Sequence, residues 1–129
     1  MNSKGFSLLE IMVVIAIVGV LGALAIPLYS GYTNRAKRVE AEEQLMTIAA
    51  IEEDYFNTFR KYLSDTTTLK QYYGADLTGK NYTITVTLGT GSASYTATAC
   101  VCYKGQTCSP CDMSCQVTNT NPKSVCTKP

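Results

Sequence analysis

Histidine and tryptophan are missing from this 129-residue sequence, and charged residues make up only 16% of it. Without histidine, the chain has no Ser-His-Asp or Cys-His catalytic arrangement, no CxxCH haem attachment and no imidazole ligand for a metal. A glycine-rich phosphate-binding loop of the required spacing is missing too. The net charge of +1 gives no bulk electrostatic sign of a nucleic acid partner. We therefore predict that the chain is not an enzyme and carries no metal or other cofactor.

Glutamate and cysteine are each confined to one part of the chain. All six glutamates lie at or before Glu53, whereas all six cysteines lie at or after Cys100. Residues 11–28 form an uncharged and almost wholly apolar run of 18 residues. The length suggests one domain, and the about 100 residues after the run can bury only a modest core, which disulfides would reinforce. The composition predicts an apolar N-terminal segment attached to a small, cross-linked domain.

A single acid, Glu10, precedes the apolar run, and two familiar interpretations leave it unexplained. A secretory signal peptide would begin at Lys4 and be cleaved after residues 23–25, but its apolar centre is usually shorter and has no acid at its entrance. A plain transmembrane anchor accounts for the length, because 18 residues rise about 27 Å against a hydrocarbon thickness of ~30 Å. An acid within such an anchor costs energy and usually signals a partner.

A third interpretation supplies that partner through cleavage between Gly5 and Phe6. The new amine of Phe6 and the carboxylate of Glu10 would lie one helical turn apart, so that they could pair within one chain or between neighbouring chains. A charge removed from water depends strongly on finding its mate. Glu10 is therefore predicted to set the register of neighbouring chains during assembly, as buried polar residues do in coiled coils.

The segment KGFSLLE at residues 4–10, followed by the apolar run, resembles the class III signal of type IV pilins and pseudopilins. The resemblance implies that a prepilin peptidase cleaves after Gly5 and methylates the amine of Phe6. It implies that Glu10 serves subunit docking. Pro27, late in the apolar run, is similar to the helix-kinking proline of that family. The close resemblance ends near residue 63.

The helical pattern continues beyond the apolar run, and we predict one helix from Phe6 to about Tyr62. Pro27 removes one backbone hydrogen bond and should bend this helix. The second half is amphipathic, with apolar side chains near helical spacing: Leu45, Ile48, Tyr55, Phe59 and Leu63. This stripe is expected to pack in a core, whereas the acids at residues 52–54 are expected to form a solvated face rather than a metal site.

Beyond the helix, the period of the apolar residues changes from helical to alternating. Residues 81–88 and 93–103 alternate on either side of a turn at residues 89–92, which predicts a β-hairpin with Tyr82, Ile84, Val86 and Leu88 on its buried face. A third strand is predicted at residues 115–118. The fold class is therefore α+β. A long N-terminal α-helix, with a transmembrane half and an amphipathic half, packs on a small antiparallel sheet with a disulfide-rich C-terminal loop, as in the pilin fold.

The predicted organisation follows from these elements and from the resemblance. Residues 1–5 would be a leader removed by the peptidase, residues 6–30 a transmembrane and assembly helix, and residues 31–129 a globular head. The head would contain, in chain order, these segments: helix 31–63, connecting loop 64–80, sheet 81–118 and a cysteine-rich tail overlapping it at 100–129.

Six cysteines crowd the tail, and three interpretations of them stay open: Cys100, Cys102, Cys108, Cys111, Cys115 and Cys126. Structural disulfides suit an even count in an oxidising compartment, but six cysteines allow fifteen pairings. Cys100 and Cys102 point to one face of a strand, so each is expected to pair with a later cysteine. Zinc binding through Cys108-x2-Cys111 with Cys100 and Cys102 is the second interpretation, and a CxxC redox centre is the third. The resemblance implies a disulfide that staples the C-terminal loop to the sheet.

The resemblance implies a structural subunit of a type IV pilus, for adhesion, twitching motility or DNA uptake. Its partners would be other pilin chains in a filament, the prepilin peptidase, the inner-membrane assembly machinery and the membrane itself. The precursor would lie in the inner membrane and the mature chain in an extracellular pilus.

Three alternatives remain open at this point. The first is a pseudopilin of type II secretion, which the many cysteines and the lack of an acidic calcium-binding loop disfavour. The second is a membrane-anchored zinc or thiol-disulfide module. The third is DNA contact by lysines together with tyrosines that could stack on bases: Tyr72, Tyr73, Tyr82 and Tyr103.

Overall fold

A computed structural model of the chain describes residues 5–74, 79–105 and 108–128. The chain divides into two compact units, residues 1–34 and residues 35–129. The elements follow in this order: α1 (Leu8–Phe59), α2 (Thr66–Tyr73), β1 (Tyr82–Leu88), β2 (Tyr95–Val101), β3 (Met113–Thr118) and β4 (Asn121–Thr127). A long helix and a four-stranded antiparallel sheet confirm the predicted α+β class and the pilin fold.

Helix α1 contains Pro27 within its span, as predicted. Proline has no N–H to donate to the preceding turn. Two side chains bond to nearby carbonyls just after it: the Ser30 hydroxyl donates to the Pro27 carbonyl at 2.9 Å, and the Thr33 hydroxyl donates to the Ser30 carbonyl at 3.0 Å. The helix ends where Arg60 takes a left-handed conformation, with φ of 57°. The predicted bounds, Phe6 to about Tyr62, lie within three residues of the observed ones.

In the first unit, the described residues 5–34 include no buried residue. The apolar side chains of this stretch point into the surroundings on every side of the helix, because hydrophobic residues occupy nearly every position rather than one stripe. The helix is long and apolar enough to cross a membrane. Such a surface is unstable in water and needs lipid or other helices around it.

The second unit has a continuous hydrophobic core between α1 and one face of the sheet. Ala41, Leu45 and Ile48 are fully buried and fall three or four residues apart, so they share one side of the helix. Phe59, predicted to join this stripe, is 56% exposed. That part of the prediction is wrong because the helix ends at Phe59, and the Phe59 ring instead packs at a tilt of 34° against the Tyr55 ring, with centroids 4.5 Å apart.

Helix α2 lies in the segment predicted to be a connecting loop, residues 64–80, and corrects that prediction. Asp65 caps it, since one carboxylate oxygen accepts from the Thr67 N–H at 2.9 Å and the other from the Thr68 hydroxyl at 2.6 Å. The hydrogen bond from Thr68, followed by that from Thr67, lowers the pKa of Asp65. Gly74 closes the helix with φ of 65°, where glycine has no steric penalty. These two caps outweigh the weak helical propensity of the threonines between them.

The sheet has the order β1-β2-β3-β4, with every neighbouring pair antiparallel. The predicted hairpin is confirmed by the pairing of Tyr82 with Val101 through to that of Leu88 with Tyr95. The predicted third strand is confirmed as β3. Strand β4 was not predicted, because its sequence NPKSVCT shows no clean alternation. Proline and lysine are typical of edge strands, which is the place that β4 occupies.

Candidate functional site

The predicted processing site lies immediately before α1. Gly5 and Phe6 precede the first helical residue, Leu8, and Glu10 stands in the first turn of the helix. Residues 1–4 of the predicted leader fall outside the described residues. An acid in the first helical turn interacts favourably with the positive end of the helix dipole. Cleavage and methylation at Gly5 and Phe6 remain predictions.

Glu10 is an exposed carboxylate among exposed apolar side chains. Its neighbours Leu8, Leu9 and Ile11 are themselves exposed. Among the described residues, no ion pair or hydrogen bond is formed by the Glu10 side chain within its own chain. In lipid or in a bundle of helices, such an acid gains most from a cation supplied by a neighbour.

All six cysteines form disulfides, which confirms the structural interpretation of the tail. The bonds are Cys100–Cys111, Cys102–Cys108 and Cys115–Cys126. Cys100 and Cys102 each pair with a later cysteine, as expected from their shared strand face. The first two bonds are nested around the loop between β2 and β3, and the third joins directly opposed residues of β3 and β4.

This disulfide pairing supports neither zinc binding nor a CxxC redox centre. The sulfur atoms of Cys100, Cys102 and Cys108 lie within 4.8 Å of one another, but each is bonded to another sulfur and none is the thiolate that zinc requires. Cys108 and Cys111 form the CxxC motif, yet they bond to different partners rather than to each other. A dithiol redox centre works by making and breaking the bond within its own motif.

The loop enclosed by the two nested disulfides is also anchored by hydrogen bonds. The Tyr103 N–H donates to the Asp112 carboxylate at 2.6 Å. The Lys37 ammonium of α1 donates to the Tyr103 carbonyl. At the base of the loop, the Cys102 N–H donates to the Asn81 carbonyl at 2.7 Å. Sequence analysis missed Lys37 and Asp112, since 66 residues separate Lys37 from Tyr103 and no local pattern connects them.

Glu52 is fully buried, which corrects the prediction that residues 52–54 all face solvent; Glu53 and Asp54 are exposed as expected. One Glu52 oxygen accepts from the Leu63 N–H at 2.8 Å, and the other is buried without a hydrogen-bond partner among the described residues. Burial raises the pKa of Glu52 to about 7; the Leu63 hydrogen bond opposes that rise, and the charge of Glu53 adds to it. The sequence signal was the helical stripe itself, in which Glu52 falls four residues after Ile48.

Two tyrosines close the core beside Glu52. The rings of Tyr62 and Tyr95 lie 4.9 Å apart, and the Tyr62 hydroxyl donates to the Glu53 carboxylate at 3.2 Å. Burial, with a smaller contribution from the charge of Glu53, raises the pKa of both tyrosines. The Tyr62 N–H donates to the Ser92 carbonyl at 3.1 Å, so this cluster fastens the end of α1 to the β1–β2 turn.

Both parts of the chain match models of known protein families. Residues 1–26 match the model of the prokaryotic N-terminal methylation motif, the segment that holds Gly5, Phe6 and Glu10. Residues 27–116, more than half of the chain, match the family model described as "Type IV minor pilin ComP, DNA uptake sequence receptor". The chain belongs to the ComP family of type IV minor pilins.

Relatives of this ComP-family chain are pilins from several bacteria. It is 35% identical over 61 residues to the type IV major pilin protein PilA of Myxococcus xanthus, covering 47% of the chain and 28% of PilA. It is 60% identical over 38 residues to PilE1 of Neisseria gonorrhoeae, covering 30% of the chain and 23% of PilE1. A fimbrial protein of Pseudomonas aeruginosa is 33% identical over 75 residues, covering 58% of the chain and 49% of the relative. The chain thus spans half or less of the length of these relatives.

The predicted base-stacking tyrosines differ in their accessibility in this ComP-family head. Tyr82 is 2% exposed within the core, so it cannot stack on a base. Tyr103 is half-buried, with its hydroxyl 3.9 Å from the Met113 sulfur. Tyr73, in the last turn of α2, is exposed. The side chain of Tyr72 lies outside what the structure describes.

Proposed function

We propose that this ComP-family chain is a structural, non-enzymatic subunit of a type IV pilus. One observation carries the proposal: a methylation motif and an unburied apolar helix precede a head that is already packed and cross-linked. The head completes its own core, whereas the apolar helix has to be covered by lipid or by other helices. A membrane and then a fibre are environments that would cover that helix in turn.

The precursor would lie in the inner membrane, with residues 6–30 spanning it and residues 31–129 forming the head outside. A prepilin peptidase would remove residues 1–5 and methylate Phe6. The mature chain would then join an extracellular pilus through the assembly machinery of the inner membrane. Burial of the helix against lipid and its burial against other helices differ little in hydrophobic free energy, because lipid tails are as apolar as leucine.

Glu10 gives the transfer from lipid to fibre its direction. Since apolar contacts are nearly equivalent in the two environments, a specific polar contact decides between them. The carboxylate of one chain would pair with the Phe6 amine of a neighbour, and this pair forms only in one register of adjacent helices. Unpaired, the acid stays costly in the membrane. The subunit would therefore be more stable in the fibre than in lipid.

Mass spectrometry of the mature chain tests this proposal directly. We expect an intact mass that corresponds to a chain starting at methylated Phe6, with all six cysteines oxidised. Gly5→Val should block cleavage and leave residues 1–5 attached, whereas the control Ser7→Ala should be processed normally. A mature chain that still carries its first five residues in surface filaments would contradict the proposal.

DNA binding is a second candidate function, favoured by the description of the matched family as a DNA uptake sequence receptor. Lys70 and Tyr73 lie three residues apart on α2 and are both exposed, so a cation and an aromatic ring share one face. Such a pair can contact a phosphate and stack on a base.

Fluorescence anisotropy with labelled DNA tests this second function. We expect binding by the full chain in detergent that weakens as salt is added, and a loss of roughly tenfold or more in Lys70→Ala/Tyr73→Ala. Lys123→Ala, on β4, is the matched control and should bind as the wild type does. Equal binding by all three proteins would exclude α2 as the contact.

A further inference from the structure

Two of the three disulfides join cysteines that are not neighbours in the order of the chain. Cys100 bonds to Cys111 and Cys102 bonds to Cys108, so that one bond encloses the other. We call these two bonds the nested bonds. Four cysteines can form two bonds in three ways. The head therefore has to reach the nested bonds against two competing pairings.

The CxxC motif favours one of these competitors before the head has folded. Two residues separate Cys108 from Cys111, whereas the nested bonds join cysteines six and eleven positions apart. In a flexible chain the entropic cost of closing a loop rises with its length. Of the bonds that Cys108 and Cys111 can form, the one between them closes at the lowest cost. Once formed, it occupies one partner of each nested bond and blocks both.

A chain with this early bond becomes trapped when its other cysteines are oxidised as well. Before β2 has formed, Cys100 and Cys102 are left to each other, while Cys115 bonds to Cys126 as observed. No thiolate then remains in the chain, because all six cysteines are bonded. Disulfides exchange by attack of a thiolate on one sulfur of the bond. The trapped chain therefore needs a thiolate from another molecule.

We propose that this head is a substrate of a thiol-disulfide isomerase, which breaks an early Cys108–Cys111 bond and so allows the nested bonds to form. The chemistry defines the partner: it supplies one thiolate and recovers it, with no net oxidant or reductant. The proposal concerns how the head acquires its bonds. It goes beyond the proposed function and does not depend on entry of the chain into a pilus.

Three exchanges convert the trapped bonds into the nested ones. The isomerase thiolate attacks Cys111 and forms a mixed disulfide with it, and Cys108 leaves as a thiolate. The Cys108 thiolate attacks Cys102, forms the first nested bond and releases Cys100 as a thiolate. The Cys100 thiolate attacks Cys111, forms the second nested bond and returns the isomerase thiolate. Each step breaks one S–S bond and forms one, so that no electrons are gained or lost.

The folded head holds together the three sulfur atoms of the second exchange. The sulfur atoms of Cys100, Cys102 and Cys108 lie within 4.8 Å of one another, and they are the leaving, central and attacking atoms of that step. Cys102 is 1% exposed and out of reach of an external thiolate, whereas Cys111 is partly exposed. This arrangement suits an internal attack by Cys108 and leaves Cys111 for the external one.

Folding of the sheet supplies the driving force for these exchanges. The Asp112 N–H donates to the Val101 carbonyl at 3.1 Å, which brings the end of the loop back to the end of β2. The Cys102 N–H donates to the Asn81 carbonyl at 2.7 Å at the same end of the sheet. These hydrogen bonds form together with the nested bonds, so the folded head selects the nested pairing among the three.

The third disulfide has no such competitor and provides an internal reference. Cys115 and Cys126 follow one another in the order of the cysteines and lie opposite each other in the register of β3 and β4. Pairing of these strands brings the two side chains together directly. We expect this bond both in the trapped chain and in the native one.

Rapid oxidation of the full chain in detergent tests whether the trap exists. The reduced, unfolded chain is oxidised with diamide until no free thiol remains. Cleavage after Lys104 and before Asp112 then releases residues 105–111, which hold both cysteines of the motif. Mass spectrometry should find this peptide with an internal bond in most of the oxidised chain. A rapidly oxidised chain that already carries the nested bonds would overturn the proposal.

Conversion of the trapped chain tests the need for the partner. Reduced protein disulfide isomerase is the probe, added in catalytic amount without any oxidant, and the same enzyme with alkylated active-site thiols is the control. We expect residues 105–111 to become joined to the peptide that holds Cys100 and Cys102 at least tenfold faster with the active probe, and fragmentation should locate the nested bonds. Equal rates with the active and the alkylated probe would overturn the proposal.

Removal of either nested bond provides matched variants without the trap. Cys100→Ser/Cys111→Ser and Cys102→Ser/Cys108→Ser each keep one nested bond, now between consecutive cysteines, and neither retains the CxxC motif. Both should reach their remaining bonds directly on rapid oxidation. The measurement identifies bonds rather than stability, so a less stable variant still gives a result. Mispaired bonds in these variants at the wild-type fraction would overturn the motif as the cause of the trap.

Discussion

The two units of the chain differ in where their stabilising contacts come from. Residues 5–34 contain no buried residue, although nearly all of them are apolar. Residues 35–129 contain a core closed by α1 and the sheet, with three disulfides around it. The head therefore carries its own stability, whereas the apolar helix depends on whatever surrounds it. A protein that must leave one environment and enter another benefits from this division, because the transfer does not require the head to unfold.

Two glutamates, one in each unit, differ in the same way. Glu10 is exposed, with apolar neighbours and no partner in its own chain among the described residues. Glu52 is fully buried and finds one partner within the head, the Leu63 N–H. The first acid is proposed to find its partner in another molecule, whereas the second is part of the internal fastening between α1 and the segment that follows it.

Removal of Glu10 should have the largest effect on function. Glu10→Ala deletes the charge proposed to set helix register, so we expect the amount of this chain in sheared filaments to fall below detection while the head stays folded. Immunoblotting of sheared filaments measures the first quantity, and circular dichroism in detergent measures the second. Glu40→Ala, an exposed acid of the head, is the control for loss of a carboxylate. A wild-type amount of the Glu10→Ala chain in the filaments would refute the assembly role.

The largest effect on stability should come from the disulfide that joins β3 to β4. Cys115→Ala/Cys126→Ala should lower the free energy of unfolding by about 2–5 kcal/mol, as loss of a native disulfide does in small domains. Urea denaturation of the full chain in detergent, followed by tyrosine fluorescence, provides the value. The apolar helix should keep its helicity in the same sample, since no disulfide constrains it.

Glu52 should make the stability of the head depend on pH. Its pKa is about 7 in the folded chain against 4.5 in an unfolded one, so between these values only the folded state keeps the proton. The free energy of unfolding should therefore fall as pH rises from about 4.5 to about 7, by about 3 kcal/mol in total. Glu52→Gln, which carries no charge, should remove this slope and be the more stable protein at pH 8.

Denaturation at several pH values measures that slope. Glu43→Gln is the matched control, because Glu43 is an exposed acid of the same helix and its removal should leave the slope in place. If the slope in Glu52→Gln equals that of the wild type, burial of Glu52 is not its cause.

The smallest expected effect concerns the cap of α2. Gly74→Ala forces a residue with a Cβ atom into φ of 65°, although no tertiary contact from the described residues lies within 4 Å of the new methyl group. We expect a loss of about 1–2 kcal/mol from backbone strain alone, measured by urea denaturation. Gly74→Asn should lose less, because asparagine tolerates the left-handed region better than alanine does.

Features with a local pattern were the ones that sequence analysis predicted. Helix α1 and the β1–β2 hairpin follow from apolar periodicities that continue over many residues. Helix α2 and strand β4 were missed, the first because its caps, Asp65 and Gly74, outweigh poor propensities, and the second because an edge strand need not alternate. For the candidate site, Gly5, Phe6 and Glu10 were recognisable because the motif is contiguous in the chain.

What the amino-acid order alone established is therefore the division of the chain: an apolar helix that begins with an isolated acid, followed by a head built from one amphipathic helix and alternating strands. Only the folded head decided which cysteines bond, that Glu52 is internal, and that Lys37 holds the Tyr103 loop. The physical reason is the separation along the chain of the residues that interact. Periodicity depends on neighbours a few residues apart, whereas disulfide partners and buried acids depend on which distant segments the fold brings into contact.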